Sequence, residues 1–279
     1  MRCRAALLLV LALACATGIA GARAALPSRF DSGRAWSFLR WQVAFGPRPA
    51  GSPASRKLAA RIVKLLPGAR YQKVPGGLRN VLYTVRGRNG SQVVVLGAHY
   101  DTKDIAGFVG ANDGASGVAV LLQLARTLRP FTARATVVFA FFDGEEEPAG
   151  RPGDQFERYG LRGSTVAARA FKNANAMILL DMVGDRDLSI PRESSSDLGL
   201  YDKVRDAARK VGHASVFPGT TTGGILDDHT PFQRRDVRAL DVIDFTYPCW
   251  HQPCDDLAHV SPRSLDAVGE TMARFLTLL

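Results

Sequence analysis

VVVLGAHYD, residues 93–101, runs from apolar and small residues straight into an imidazole and a carboxylate. A short apolar stretch rich in β-branched residues reads as a buried strand, Val93 to Ala98, ending in His99-Tyr100-Asp101. Downstream, Asn112-Asp113-Gly114 turns the chain into a helical pattern from Ala115 to Leu128. A second strand, Thr136 to Phe142, follows and ends in Asp143-Gly144-Glu145-Glu146-Glu147. Further strands fit Asn80 to Val85, Ile178 to Asp181, and Ala239 to Phe245, which leads into Trp250-His251. Helical spacing marks Leu58, Ile62 and Leu66 behind Ser52-Pro53, then about Gly163 to Asn173, Leu198 to Val211, and Pro262 to Leu279. A first helix is expected between residues 25 and 52. Strands alternating with helices predict an α/β fold with a mixed, mostly parallel central sheet sandwiched by helices.

Sheets of this kind carry chemistry beyond the carboxyl ends of their strands. His99, Asp113, Glu145, Glu146, Asp181 and His251 all fall on that edge. Singly, each has an ordinary explanation. Asp113 can cap a helix, Glu145 to Glu147 can be a solvated acidic run, and a lone His can be a satisfied polar residue. Collected on one edge, they are the imidazole and carboxylate donors that a zinc ion takes. The GANDGASG stretch at 110–117 lacks the lysine of a phosphate loop and the GxGxxG spacing.

The chain has 279 residues, and nothing in them demands a second domain. Residues 1–24 have the form of a signal peptide: Arg2 and Arg4, an apolar stretch from Ala5 to Ala14, and Ala22-Arg23-Ala24 as the cleavage site. Residues 25–279 are then one catalytic domain, secreted or periplasmic. Lipidation at Cys15 is the lesser alternative, since Ala12-Leu13-Ala14 lacks the usual leucine. Neither this apolar run nor any later one is long enough for a transmembrane anchor. The net charge of +10 becomes +7 without the signal, 33 basic against 26 acidic residues. Those charges are scattered and accompany no nucleic-acid motif, so a solvated basic surface is expected and no nucleic acid as partner. Cys249 and Cys254 flank His251. In an oxidising compartment they read as a disulfide, the alternative being that both join His251 as metal ligands.

Six motifs carry a resemblance. GAHYDT at 97–102, NDGASG at 112–117, FFDGEE at 141–146, LLDMVGD at 179–185, DDHTPF at 227–232 and WHQPCDD at 250–256 resemble, in order, the M28 family of zinc metallopeptidases. The resemblance runs from about Ser91 to the C-terminus. It implies a zinc aminopeptidase-like, phosphorylase/hydrolase-like fold shared by aminopeptidases and glutaminyl-peptide cyclotransferases. By position, Asp113, Glu146 and His251 match the zinc ligands kept in both branches. His99 and Asp181 match ligands of a second zinc in the aminopeptidases, with Asp113 bridging. Glu145 matches the catalytic acid/base.

Within the family the chain resembles the cyclase branch most closely. Asp227 precedes Asp228-His229 where aminopeptidases often have Ser, and cyclases use that Asp in a network with the catalytic Glu. Trp250 precedes the ligand His251, as in cyclases, where the indole lines the substrate pocket. The expected reaction converts N-terminal Gln to pyroglutamate with release of ammonia, on peptide or protein N-termini, by a monomer holding one zinc. The alternative is a two-zinc aminopeptidase. A third reading, a noncatalytic binding ectodomain, sits poorly with a complete set of ligands and acid/base. His229 is expected near the substrate, as an oxyanion or positioning group. His213 and His259 fit no motif and are expected at the surface. Two departures stand out. Phe156 is the sole aromatic residue where cyclases carry a further tryptophan, and Asp236 and Arg238 replace a usual glycine and proline.

Overall fold

A computed structural model describes residues 30–148, 150, 151 and 155–278. The signal-peptide expectation at 1–24 lies outside the described residues. Among those described, no helix is long and apolar enough to cross a membrane.

The chain runs α1 (Ser32–Val43), α2 (Pro53–Leu65), β1 (Arg70–Val74), β2 (Leu78–Val85), β3 (Asn89–His99), α3 (Ser116–Thr127) and β4 (Ala135–Phe142). It continues through α4 (Phe156–Tyr159), α5 (Arg162–Ala170), β5 (Ala176–Asp181), β6 (Arg192–Glu193) and α6 (Leu198–Val211). It closes with β7 (Thr221–Thr222), α7 (Thr230–Gln233), β8 (Ala239–Ile243) and α8 (Pro262–Leu276). Helix starts follow local chemistry. Asp31, Ser52, Asp197 and Ser261 each accept a backbone N–H of the first turn, and Pro53 and Pro262 occupy positions where their missing N–H costs nothing.

Six strands form one sheet in the order β1-β2-β4-β3-β5-β8. The pairs β4–β3, β3–β5 and β5–β8 are parallel, whereas β1 and β2 run antiparallel at one edge. The mixed, mostly parallel sheet between helices is therefore as expected. β5 and β8 are buried at every residue, as a sheet covered on both faces requires. One face packs on α1, α2, α3, α6 and α8, through residues such as Leu39, Ile62, Leu121, Val204 and Phe275. The other packs on α5 and α7, through Ala167, Ala168 and Phe232.

The close approach of α3 to the sheet depends on Gly117. A Cβ there would lie 2.0 Å from the Leu180 carbonyl oxygen of β5. Differences from expectation sit at the edges. β3 begins at Asn89, with a shift of register before Val93. β8 stops at Ile243, and Phe245 lies in the following loop. β1 was not anticipated, because RYQKV is polar and largely exposed. Cys249 and Cys254 form a disulfide, which removes both from any set of metal ligands.

Candidate metal centre and active site

The four parallel strands deliver their donors to one edge. His99 ends β3, Asp113 sits in the loop before α3, Glu145 and Glu146 follow β4, Asp181 ends β5, and Trp250-His251 follow β8. Asp113, Glu146 and His251 each offer a ligand atom, all within 4.8 Å of one another, and so do His99, Asp113 and Asp181. Asp113 divides its oxygens between the two groups. Its Oδ2 is 3.4 Å from His251 Nε2 and its Oδ1 is 3.2 Å from His99 Nε2. His251 Nε2 is 3.1 Å from Glu146 Oε1, and His99 Nε2 is 3.3 Å from Asp181 Oδ1.

The donors fit zinc. Three buried carboxylates and two imidazoles at this spacing repel or leave charges uncompensated unless a cation joins them, and nitrogen with carboxylate oxygen suits zinc. Asp113, Glu146 and His251 all line a cavity of about 320 Å³, whereas His99 lies buried behind it. Two backbones here are strained. His251 (φ 53°) and Met182, next to Asp181 (φ 44°), occupy the left-handed region without being glycine, a conformation that clusters at functional sites.

Sequence reasoning missed the carboxylates that hold this frame. Asp255 accepts the backbone N–H groups of Asn112 (2.7 Å) and Asp113 (3.0 Å) and the Tyr247 hydroxyl (2.9 Å). Asp101 accepts those of Glu145 (3.3 Å) and Glu146 (3.2 Å). Each therefore sets a ligand's backbone instead of touching a cation. Their signal was present, since both lie inside quoted motifs. Burial, and then the charge of Asp113, push the Asp255 carboxyl up to about 7.

Glu145 and Asp227 meet in the same cavity. Burial raises both carboxyls well above the usual range. The charge of Glu146 adds to the effect at Glu145, and those of Asp241, Asp181 and Asp228 at Asp227. Asp228, fully buried, is pushed up to about 7. Phe156, Ile225, Ile243, Phe245 and Trp250 form an apolar part of the wall, and Lys103 and Glu147 a charged part. Trp250 stacks on His251 (centroids 4.4 Å apart, 27° between planes) and contacts Phe245 at 4.8 Å, while 42 % of it remains exposed. Phe156, the departure at the missing tryptophan, lines the cavity. Lys103 Nζ stands 3.0 Å from Glu146 Oε2 and 2.6 Å from Glu147 Oε1.

His229 does not reach the cavity. It is fully buried, its Nε2 3.1 Å from Ser195 Oγ and 3.5 Å from Glu193 Oε2, its Nδ1 3.6 Å from Asp241 Oδ2. Its neighbours are therefore Ser195, Glu193 and Asp241, and it is not among the residues that line the cavity. His213 lines a separate surface groove, and His259 pairs with Asp256 at 3.0 Å.

Fold and donor set together define an α/β protein of the zinc exopeptidase and glutaminyl cyclase type. The sequence model of Peptidase family M28 matches residues 80–276, and the chain belongs to that family. The glutaminyl-peptide cyclotransferase of Drosophila melanogaster is 25% identical over 67% of this chain. Aminopeptidase YwaD of Bacillus subtilis (strain 168) is 27% identical over 64% of it. The chain spans 61% of the first relative's length and 39% of the second's. A glutaminyl cyclase structure from Porphyromonas gingivalis superposes with a TM-score of 0.78 at 32% identity, covering 89% of this chain and 98% of that one.

Proposed function

We propose that the protein is a zinc-dependent glutaminyl-peptide cyclotransferase, acting on peptide or protein N-termini outside the cytoplasm after removal of residues 1–24. The observation that carries this reading is the cavity itself. It is small and walled by Trp250, and it holds one complete ligand set beside the buried Glu145 and Asp227 carboxyls. Cyclisation consumes no water, so a single metal at Asp113, Glu146 and His251 is enough. A zinc ion there supplies Lewis-acid polarisation of a substrate carbonyl.

The chain's own groups supply the rest. Glu145 takes a proton from the substrate α-amine, whose nitrogen bonds to the γ-amide carbon. The C–N bond to the amide nitrogen breaks, and Glu145 returns the proton so that ammonia leaves. Burial, and then the charge of Glu146, raise the Glu145 carboxyl well above the usual range, which strengthens it as a base for the first half of that transfer. Asp227 orients Glu145 or shares its proton, and the Trp250 ring packs on the glutamine side chain. Amine and amide belong to one glutamine residue, so the cavity's part is to hold that residue in the folded conformation that brings the nitrogen onto the γ-carbon.

A second reading has its own support. His99, Asp113 and Asp181 form a second donor set, which suits a two-metal aminopeptidase. An assay of mature, zinc-loaded protein with a Gln-peptide and Leu-p-nitroanilide side by side tests the two. Ammonia release with a pyroglutamyl product, lost in Glu145→Gln, is the expected outcome. Release of p-nitroaniline without cyclisation would establish the aminopeptidase instead.

A further inference from the structure

We propose that Glu193 is a positioning residue that grips the 225–229 loop on both sides of Asp227, setting that carboxyl in the cavity. The proposal rests on the reading of Asp227 as the partner of Glu145, and on geometry outside the cavity. Glu193 is fully buried on β6, which pairs in parallel with β7, so that the two short strands lead into this region together.

Both carboxylate oxygens of Glu193 are fully engaged. Oε1 accepts the backbone N–H groups of Ser195 (2.7 Å) and Ile225 (3.1 Å). Oε2 accepts the hydroxyls of Ser195 (2.8 Å) and Ser196 (2.9 Å) and stands 3.5 Å from His229 Nε2. Ile225 and His229 lie two residues before and two after Asp227. One carboxylate thus holds both ends of the short segment whose middle residue faces Glu145.

The same grip extends to β8. Ser196 Oγ, held by Glu193, accepts the Asp241 N–H at 2.9 Å, and the Asp241 carboxyl faces His229 Nδ1. The hydrogen bonds of Glu193 go to Ser195, Ser196 and Ile225, none of them a proposed metal ligand, and Glu193 does not line the cavity. Burial alone would raise the Glu193 carboxyl. The His229 pair and the seryl hydrogen bonds outweigh it and hold the group down at about 2, so the grip is ionised at neutral pH. Ile225 is itself a cavity wall residue, so a loosened loop disturbs both the acid and the apolar wall.

The test uses Glu193→Gln in the zinc-loaded mature protein, read by hydrogen exchange and by kinetics. Exchange of peptides covering 223–229 is expected to rise by about tenfold or more, with peptides of β3 and β4 unchanged. With the N-terminal substrate that the parent turns over, kcat is expected to fall about tenfold while KM changes less than about twofold. In an Asp227→Asn background the same substitution should lower kcat no further, because its effect passes through Asp227. Unchanged exchange in the loop, or a loss of kcat that adds fully to that of Asp227→Asn, overturns the proposal. Should Glu193→Gln fail to fold, Ser196→Ala removes one hydrogen bond of the grip and is read in the same two ways. The exchange arm needs no substrate. A parent that fails to cyclise Gln-peptides therefore defeats the functional reading without deciding the grip.

Discussion

At the scale of single residues, the frame of the site rests on carboxylates that bind backbone N–H groups. Asp255 spends one oxygen on the Asn112 N–H and the other on the Asp113 N–H. An amide in its place offers only one acceptor and turns an NH2 against the second donor. Asp255→Asn is therefore expected to weaken zinc binding by about 10–100-fold, measured by competition with a chelating dye. A parent-like affinity would mean that Asp113 holds its place without that support. The donors that the structure brings together were legible in the sequence because each stands in a dense polar motif near a strand end. Glu193 was not, because RESSS looks like any polar loop until folding buries its second residue. Phe156 stood out as the sole aromatic residue of its stretch, whereas Ile225 and Phe245 were silent as cavity walls. An apolar side chain in a loop has no period from which to read the direction it faces. For His229 the motif pointed to the neighbourhood of the site, and the structure shows it fully buried beside Glu193 and Asp241, outside the cavity lining.

At the scale of elements, the decisive contact is α3 against β5. The Asp113 loop leads into α3 and Asp181 ends β5, so the packing distance between these elements sets the spacing of donors. Gly117→Ala would drive a methyl group into the Leu180 carbonyl. Its expected cost is about 1–3 kcal/mol of stability, read from urea unfolding, together with weaker zinc binding. Unaltered zinc affinity in a folded variant would separate helix packing from donor spacing. The long parallel strands and amphipathic helices were legible because burial on one or two faces writes a regular pattern. β1 was not, since an edge strand exposed to water needs only one apolar anchor, here Val74. The short pair β6–β7 and the one-turn helices α4 and α7 fall below the length at which periodicity carries information.

For the molecule as a whole, the buried acids set how stability follows pH. Asp143, Asp228 and Asp255 are raised to about 6, about 7 and about 7, each chiefly by burial. An acid whose folded pKa is raised keeps a proton that the unfolded chain has released, so stability falls as pH climbs from about 4 to about 7. Glu193, held at about 2, acts in the other direction, and its contribution is lost as pH drops below about 4.5. Chelated protein is expected to melt at a lower temperature at pH 8 than at pH 5, and zinc to raise the melting temperature most at pH 8. Scanning calorimetry at both pH values checks this, and a flat profile without metal would contradict it. The order of the donors along the chain has a further consequence. Asp113, Glu146 and His251 follow β3, β4 and β8, the last strand of the sheet. A growing or cut chain that ends before residue 251 has no complete nest for the ion, whatever part of it has already folded. On the proposed ligand set, metal capture is therefore a late event in the life of the polypeptide, and a bound ion certifies that the last strand has come home.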